Sequence, residues 1–243
     1  MMHSLGQSYH AVVIGASGGI GGAMARLLAE DGACAGVHAF SRSGSAPEHA
    51  KINAGRLDLT DDTSIAVAAE TVPQEPTFIV VATGFLHDGG AGPEKSWSQI
   101  TPDSFAHNFA INTTGPALVA RHFLDRFPRR ERCIFAALSA RVGSISDNKV
   151  GGWYGYRASK AALNQVLKCL AIEGARKRKH LVVAGLQPGT VRTALSEPFR
   201  GGVSKQKLFE PEDAARHLLG VLDGLEPQHS GRMFDWRGDE VPP

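Results

Sequence analysis

The sequence predicts an α/β fold, a doubly wound parallel sheet of about seven strands with helices on both faces. Two observations carry that expectation. Short apolar runs alternate with segments of helical period along the whole chain, and a glycine-rich turn joins the first run to the first helix.

His10 to Ile14 is the first apolar run, and Ile20 to Ala29 reads as the helix after the turn. Ala35 to Phe40 is the second strand, and Gly55 to Leu59 is expected to hold a short third one. Asp61 and Asp62 form an N-cap signal for a helix over Ser64 to Thr71. Thr77 to Ala82 is a β-branched apolar run of the kind buried in a parallel sheet. Thr101-Pro102-Asp103 opens a long helix through Phe127, with proline near its start. The strand Arg132 to Leu138, the helix Trp153 to Arg178 and the strand Leu181 to Leu186 follow. Glu210-Pro211-Glu212-Asp213 starts a final helix to Leu222, and Arg232 to Asp235 reads as a last edge strand.

No repeat, low-complexity tract or linker divides residues 1–243, so a single domain is expected. Hydrophobic residues make up 42% and charged residues 21%, an ordinary globular balance. A net charge of +2 implies no strong field toward polyanions. The basic run Arg176-Lys177-Arg178-Lys179 ends a helix, where cations complement the dipole, so no nucleic-acid partner is expected. Cys34, Cys133 and Cys169 are widely spaced and form no C-x-x-C pair. That argues against a metal site or disulfide framework and fits a reducing cytoplasm. Met1 to Gln7 lacks the apolar core of a signal peptide, and no run approaches the roughly 18 residues of a membrane span.

Gly15-Ala16-Ser17-Gly18-Gly19-Ile20-Gly21 lies between the first strand and the first helix. Glycine permits a tight turn and lets a pyrophosphate approach the backbone, while the helix start offers N–H groups and a positive dipole end. Gly15, Ser17, Gly19, Ile20 and Gly21 are therefore expected to hold a dinucleotide. The second strand ends Phe40-Ser41-Arg42-Ser43, with no carboxylate for a ribose 2′-hydroxyl. Ser41 and Arg42 suit a 2′-phosphate instead, so NADP (NADPH) is expected in preference to NAD.

Tyr156-Arg157-Ala158-Ser159-Lys160 puts a tyrosine and a lysine at i and i+4 on one helix face. A nearby ammonium favours phenolate, which suits the tyrosine to give or take a proton at a carbonyl or alcohol oxygen. Tyr154 has alanine at position 158 and lacks that partner; it is read as packing or pocket wall.

The spacing G-x-x-x-G-x-G with Y-x-x-x-K some distance later resembles the short-chain dehydrogenase/reductase family over nearly the whole chain. The resemblance implies a Rossmann-type oxidoreductase and extends the expected site. Asp58 and Leu59 match the family's adenine contact, and Ala82-Thr83-Gly84 stands where the family shows Asn-Ala-Gly. Pro188, Gly189, Val191 and Thr193 match its nicotinamide-side segment, and Asn112 its helix-distorting asparagine. Ile14 replaces a usual threonine. The catalytic serine position aligns with Ala140, leaving Ser139, Ser144 on the next loop, or neither to orient the substrate oxygen, with Ser139 the expected one. Gly143 to Asn148, Gly151 to Asn164 and Gly231 to Trp236 resemble the C-factor-like or carbonyl-reductase-like branch. That branch implies either a reductase of a small carbonyl or alcohol substrate or a nucleotide-binding signalling protein with little turnover. A homodimer or homotetramer is implied by resemblance alone. Leu195 to Lys207 is expected to form a lid hinged at Gly201-Gly202, with Trp153, Phe85 and Phe199 as candidate apolar pocket walls.

Overall fold

The computed structural model describes residues 2–73, 75–87, 92–201 and 208–243. The strands are β1 (Tyr9–Ile14), β2 (Cys34–Ser41), β3 (Ile52–Arg56), β4 (Phe78–Val81), β5 (Cys133–Leu138), β6 (Leu181–Gln187), β7 (Thr190–Val191), β8 (Leu208–Phe209), β9 (Arg232–Asp235) and β10 (Glu240–Val241). The α-helices are α1 (Gly19–Glu30), α2 (Asp62–Glu70), α3 (Pro102–Phe109), α4 (Gly115–Phe123), α5 (Tyr154–Lys177) and α6 (Pro211–Gly224). The main sheet runs β10-β9-β6-β5-β4-β1-β2-β3. All its neighbours pair in parallel except the short β10, which pairs antiparallel with β9.

Strand alternation divides the core between the two faces of this sheet. Ala11 and Val13 of β1 join Met24 and Leu28 of α1 and Leu218 and Leu222 of α6. Val12 and Ile14 join Ile65 of α2, Phe123 of α4 and Leu163 and Leu167 of α5 on the other face. The central strands are therefore apolar on both sides, which is why they read as unbroken runs.

Five boundaries differ from the sequence expectation. The third strand is Ile52–Arg56, not Gly55 to Leu59. As the edge strand it is largely exposed, while the apolar signal of Leu57 and Leu59 belongs to the buried chain that follows. Asp61 does cap α2, its side chain accepting from the Thr63 N–H, but the helix starts at Asp62. The long helix through Phe127 is broken: α3 ends at Phe109, a π-helical turn spans Ala110–Thr114, and α4 restarts at Gly115-Pro116. Trp153 does not belong to α5; its φ of 54° is left-handed. Arg232 to Asp235 is a strand, but β10 covers its outer edge. The small β7–β8 ribbon had no recognised signal. Residues 202–207 of the expected lid, including Gly202 of its hinge, lie outside the described residues.

Candidate active site

A cleft of about 950 Å³ opens at the carboxyl ends of the parallel strands. It lies over β1, where successive connections lead to β2 on one side and to β4 on the other. That divergence leaves a crevice that no crossover covers, the usual ligand position in an open α/β sheet.

The glycine turn forms its floor. Gly15 has φ +95°, and a Cβ there would stand 2.8 Å from Thr83 Cγ2 and 2.9 Å from the Ala82 carbonyl oxygen. A Cβ on Gly19 would meet Thr193 Cγ2 at 2.8 Å. Gly15, Ser17, Gly19 and Ile20 line the cleft. Gly21 does not: a Cβ there would lie 2.3 Å from the Gly15 carbonyl oxygen, so its role is close packing of helix on turn. The first N–H groups of α1 have no intrahelical partner and face this turn.

Ser41, Arg42, Asp58 and Leu59 line one end of the cleft. The Ser41 hydroxyl donates to the Ser45 carbonyl at 2.7 Å. The Thr60 N–H and hydroxyl donate to Asp58 Oδ1 at 2.9 and 2.7 Å. Those bonds, with Arg42 and Arg56 nearby, hold the Asp58 carboxyl below the usual carboxylate range. Arg56, absent from the sequence reading, pairs in register with Ser41 across β2 and β3; its charge acts on Asp58, but it does not line the cleft. Only strand pairing reveals it.

Ala82, Thr83, Gly84, Pro188, Gly189, Val191 and Thr193 complete the central walls. Thr83 Oγ1 is buried without a protein hydrogen-bond partner among the described residues. An orphan of that kind costs about 1–3 kcal/mol unless a ligand or water meets it.

Tyr156 and Lys160 are buried in the cleft, 8% and 2% exposed, one helical turn apart on α5. Lys160 Nζ donates to the Leu138 carbonyl at 2.7 Å and lies 5.8 Å from the Tyr156 ring centroid. Burial pushes the tyrosine up to about 12 and the lysine down to about 7. Desolvation thus sets the resting values. The expected lowering of the phenol by the ammonium does not appear in the protein alone.

Ser139 also lines the cleft, and its hydroxyl donates to Asn164 Oδ1 at 2.6 Å. Asn164 extends the Tyr156–Lys160 stripe by one more turn of α5. Ala140 lines the cleft beside Ser139. Ser144 is buried outside it; the Asp147 N–H donates to its hydroxyl oxygen. Asn112, 1% exposed, sits within the π-helical turn. It lies behind the cleft wall and brackets Phe85. The Phe85 N–H donates to its Oδ1 at 2.8 Å, and its Nδ2 donates to the Phe85 carbonyl at 2.8 Å. The same Nδ2 donates to Ser159 Oγ at 3.1 Å. Gly84 lies where Lys160 Nζ and Asn112 Oδ1 converge: a Cβ there would stand 3.7 Å from the first and 3.8 Å from the second, ordinary contact distances.

Trp153, Phe85 and Phe199 line the other end. The Trp153 and Phe199 rings meet edge-on with centroids 5.0 Å apart. His87 and His107, which the sequence reading passed over, pack edge-on against Phe199 and Phe85. Tyr154 does not line the cleft. Among the described residues no cluster of three His, Cys, Asp or Glu side chains could hold a metal, and no helix is long and apolar enough to cross a membrane.

An open parallel α/β sheet, a glycine turn at its crevice and a buried tyrosine–lysine pair define a nicotinamide-dinucleotide oxidoreductase architecture. The short chain dehydrogenase family matches residues 9–203, and the chain belongs to that family. It is an NAD(P)-dependent dehydrogenase or reductase acting on CH–OH or C=O groups. The chain is 36% identical over 137 residues to the C-signal protein of Myxococcus xanthus, covering 56% of this chain and 77% of that protein. A solved short-chain dehydrogenase/reductase from Burkholderia multivorans with bound NADP has 26% identity and a TM-score of 0.80, covering 97% of this chain and 100% of that one. The NADPH-bound carbonyl reductase from chicken fatty liver shares the fold at 23% identity and a TM-score of 0.83, covering 98% of this chain and 100% of that one.

Proposed function

We propose that the protein is an NADPH-dependent reductase of a small carbonyl compound, with Tyr156 as general acid and Lys160 as its electrostatic support. The observation that carries this is the burial of both groups in the same cleft that the glycine turn floors.

The residues fit a dinucleotide. Gly15 and Gly19 let the turn lie close against Ala82, Thr83 and Thr193, Thr83 offers an unmatched hydroxyl, and Arg42 supplies positive charge beside Ser41. Gly15, Ser17, Gly19 and Ile20 would hold the pyrophosphate, and Gly21 would keep their turn tight. Ser41 and Arg42 would hold a 2′-phosphate, and Asp58 and Leu59 the adenine. Ala82, Thr83 and Gly84, with Pro188, Gly189, Val191 and Thr193, would hold the ribose and nicotinamide. When bound, the nicotinamide supplies the hydride.

Tyr156 stays protonated at neutral pH, its pKa raised to about 12, and so carries the proton a reduced carbonyl oxygen needs. Lys160, as ammonium, stabilises the negative charge left on the phenol oxygen. Ser139 would hold the substrate oxygen after its hydroxyl turns from Asn164 toward the cleft. Asn112 keeps the Gly84–Phe85 wall against Lys160. The Trp153–Phe85–Phe199 end suits an apolar substituent on the carbonyl carbon.

NADPH oxidation over a panel of aldehydes and ketones tests the reading, with Tyr156→Phe as control. General acid–base catalysis contributes about 10²- to 10⁴-fold, so the variant should bind NADPH yet lose turnover on that scale. Near-normal turnover in Tyr156→Phe overturns the assignment.

The C-signal relative and Ala140 in the serine place favour a second reading, a nucleotide-binding signalling protein with little turnover. NADPH binding without reduction of any carbonyl in the panel would select it. From family resemblance we also infer a homodimer or homotetramer, which light scattering on the purified chain decides.

A further inference from the structure

We propose that Glu94 is a positioning residue for the proposed catalytic tyrosine, acting through a buried polar chain that closes on both sides of Tyr156. This inference rests on the reading of Tyr156 as the general acid.

Glu94 lies on the loop after β4, far in sequence from α5, and is only 6% exposed. A buried carboxylate is costly unless its oxygens are hydrogen-bonded. Among the described residues two donors meet this one. The Ser104 hydroxyl donates to Oε1 at 2.6 Å, and the Gly155 N–H donates to Oε2 at 3.2 Å. The Glu94 carbonyl also accepts from the Trp153 N–H at 2.5 Å. Gly155 is the second residue of α5, and that helix receives no side-chain cap from its own N-cap residue, Trp153. Glu94 therefore supplies from a distance what a local N-cap usually supplies, a negative acceptor at the positive end of the helix.

The same residue stabilises an unfavourable backbone. Trp153 has φ 54° and ψ 45°, a conformation that bulky side chains rarely adopt. Such strain persists where surrounding contacts over-determine it. Glu94 accepts the N–H groups of residues 153 and 155, either side of the turn, so it fixes how the chain enters α5. Tyr156 is the next residue. Gly155 is also a packing requirement, since a Cβ there would stand 3.1 Å from Glu94 Oε1 and 3.2 Å from Asn108 Nδ2.

From Ser104 the chain continues inward. Asn108 Nδ2 donates to the Ser104 carbonyl at 2.9 Å, and Asn112 Nδ2, whose two protons serve Phe85 and Ser159, lies 3.3 Å from Asn108 Oδ1 as a shared, weaker contact. Asn112 reaches Ser159, whose hydroxyl donates to the Tyr156 carbonyl at 2.8 Å. The network leaves α5 at Gly155, crosses α3 and the π-helical turn, and returns to α5 at Tyr156. It grips the tyrosine backbone on its N–H side through its neighbour and on its carbonyl side directly.

The test compares Glu94→Ala, Glu94→Gln and Ser104→Ala in the full-length protein by amide exchange and by turnover. Loss of a helix cap is worth about fivefold to tenfold in local opening, so Glu94→Ala should speed exchange of the Gly155 amide by about that much, with β4 to β6 unchanged. Misplacing a reacting group by about 1 Å can cost about 100-fold, so kcat should fall by about tenfold or more. NADPH affinity should stay within about twofold, because Glu94 touches none of the glycine turn. Glu94→Gln should restore most of kcat, its oxygen accepting from Gly155 and its amide donating to Ser104 Oγ. Ser104→Ala should fall between wild type and Glu94→Ala, and it carries the test if Glu94→Ala fails to fold.

Unchanged exchange at Gly155 overturns the proposal whether or not Tyr156 proves catalytic. Equal losses in the Ala and Gln variants, or kcat and NADPH affinity falling in proportion, also overturn it. Retained turnover in Tyr156→Phe instead removes the reading beneath the proposal and leaves the exchange result to decide the role of Glu94.

Discussion

The glycine floor of the cleft and its catalytic wall are held by different means. At the glycine turn the shape is made by backbone: Gly15 lies against Ala82 and Thr83, and Gly19 against Thr193. At Tyr156 the shape is made by side chains reaching across from elements distant in sequence, Glu94, Asn108 and Asn112, and by Ser159 within α5. The first kind of site depends on what is missing, a Cβ. The second depends on what is present and satisfied. They should therefore fail differently: glycine substitutions should lose binding, and network substitutions should lose rate.

The sharpest way to break that contrast is Gly15→Val. It places a side chain where φ is +95° and where the first carbon already stands 2.8 Å from Thr83. The overpacked turn must shift off Ala82 and Thr83, so NADPH affinity, measured by fluorescence titration, should fall by about tenfold or more and the melting temperature should fall with it. Unchanged NADPH affinity would mean that the turn is not the cradle.

The next effect comes from the catalytic end. Burial lowers the Lys160 pKa to about 7, so its ammonium is present below that value and lost as pH rises through it. The kcat/KM for carbonyl reduction reports the free enzyme and should fall about tenfold per pH unit above about 7. Tyr156, raised to about 12, keeps its proton across that range and contributes no limb of its own. A profile flat to pH 9 would show that Lys160 holds its charge inside the cleft. Alcohol oxidation should run the other way and favour alkaline pH, because there the phenol must first lose its proton.

Most of the fold was legible because the buried central strands are apolar on both faces and the turns between them carry glycine, proline or a cap. The exceptions have separate causes. The edge strand β3 buries little, so its pattern is weak and the stronger signal of Leu57 and Leu59 displaced it. The break at Ala110–Thr114 escaped the helical periodicity, but the resemblance marked it, because Asn112, matched to a helix-distorting asparagine, lies within the π-helical turn. The glycine turn, Tyr156 and Lys160 could be read from spacing alone. Glu94, Asn108, Asn164 and Arg56 could not, because each gains its place only when the sheet and α5 bring separate segments together.

A smaller effect separates the two cofactors. Arg42→Ala should weaken NADPH binding by about tenfold, the worth of one charge-assisted contact, and leave NADH binding nearly unchanged. Equal losses with both would place Arg42 outside any 2′-phosphate site. Arg56→Ala then asks whether the second guanidinium shares the task, since Arg56 sits in register with Ser41.

The smallest expected effect concerns Ser139. Its hydroxyl donates to Asn164, so its single proton is already engaged, and holding a substrate oxygen requires it to turn. That competition limits what Ser139 can contribute. Ser139→Ala should lower kcat by only about tenfold, the upper range for one neutral hydrogen bond. Asn164→Ala frees the hydroxyl and should cost less than Ser139→Ala or nothing. Ser144→Ala, outside the cleft, should leave kcat unchanged. If Ser139→Ala also matches wild type, the substrate oxygen is held by a backbone N–H or a water. The catalytic end would then share the backbone strategy of the glycine turn at that one point.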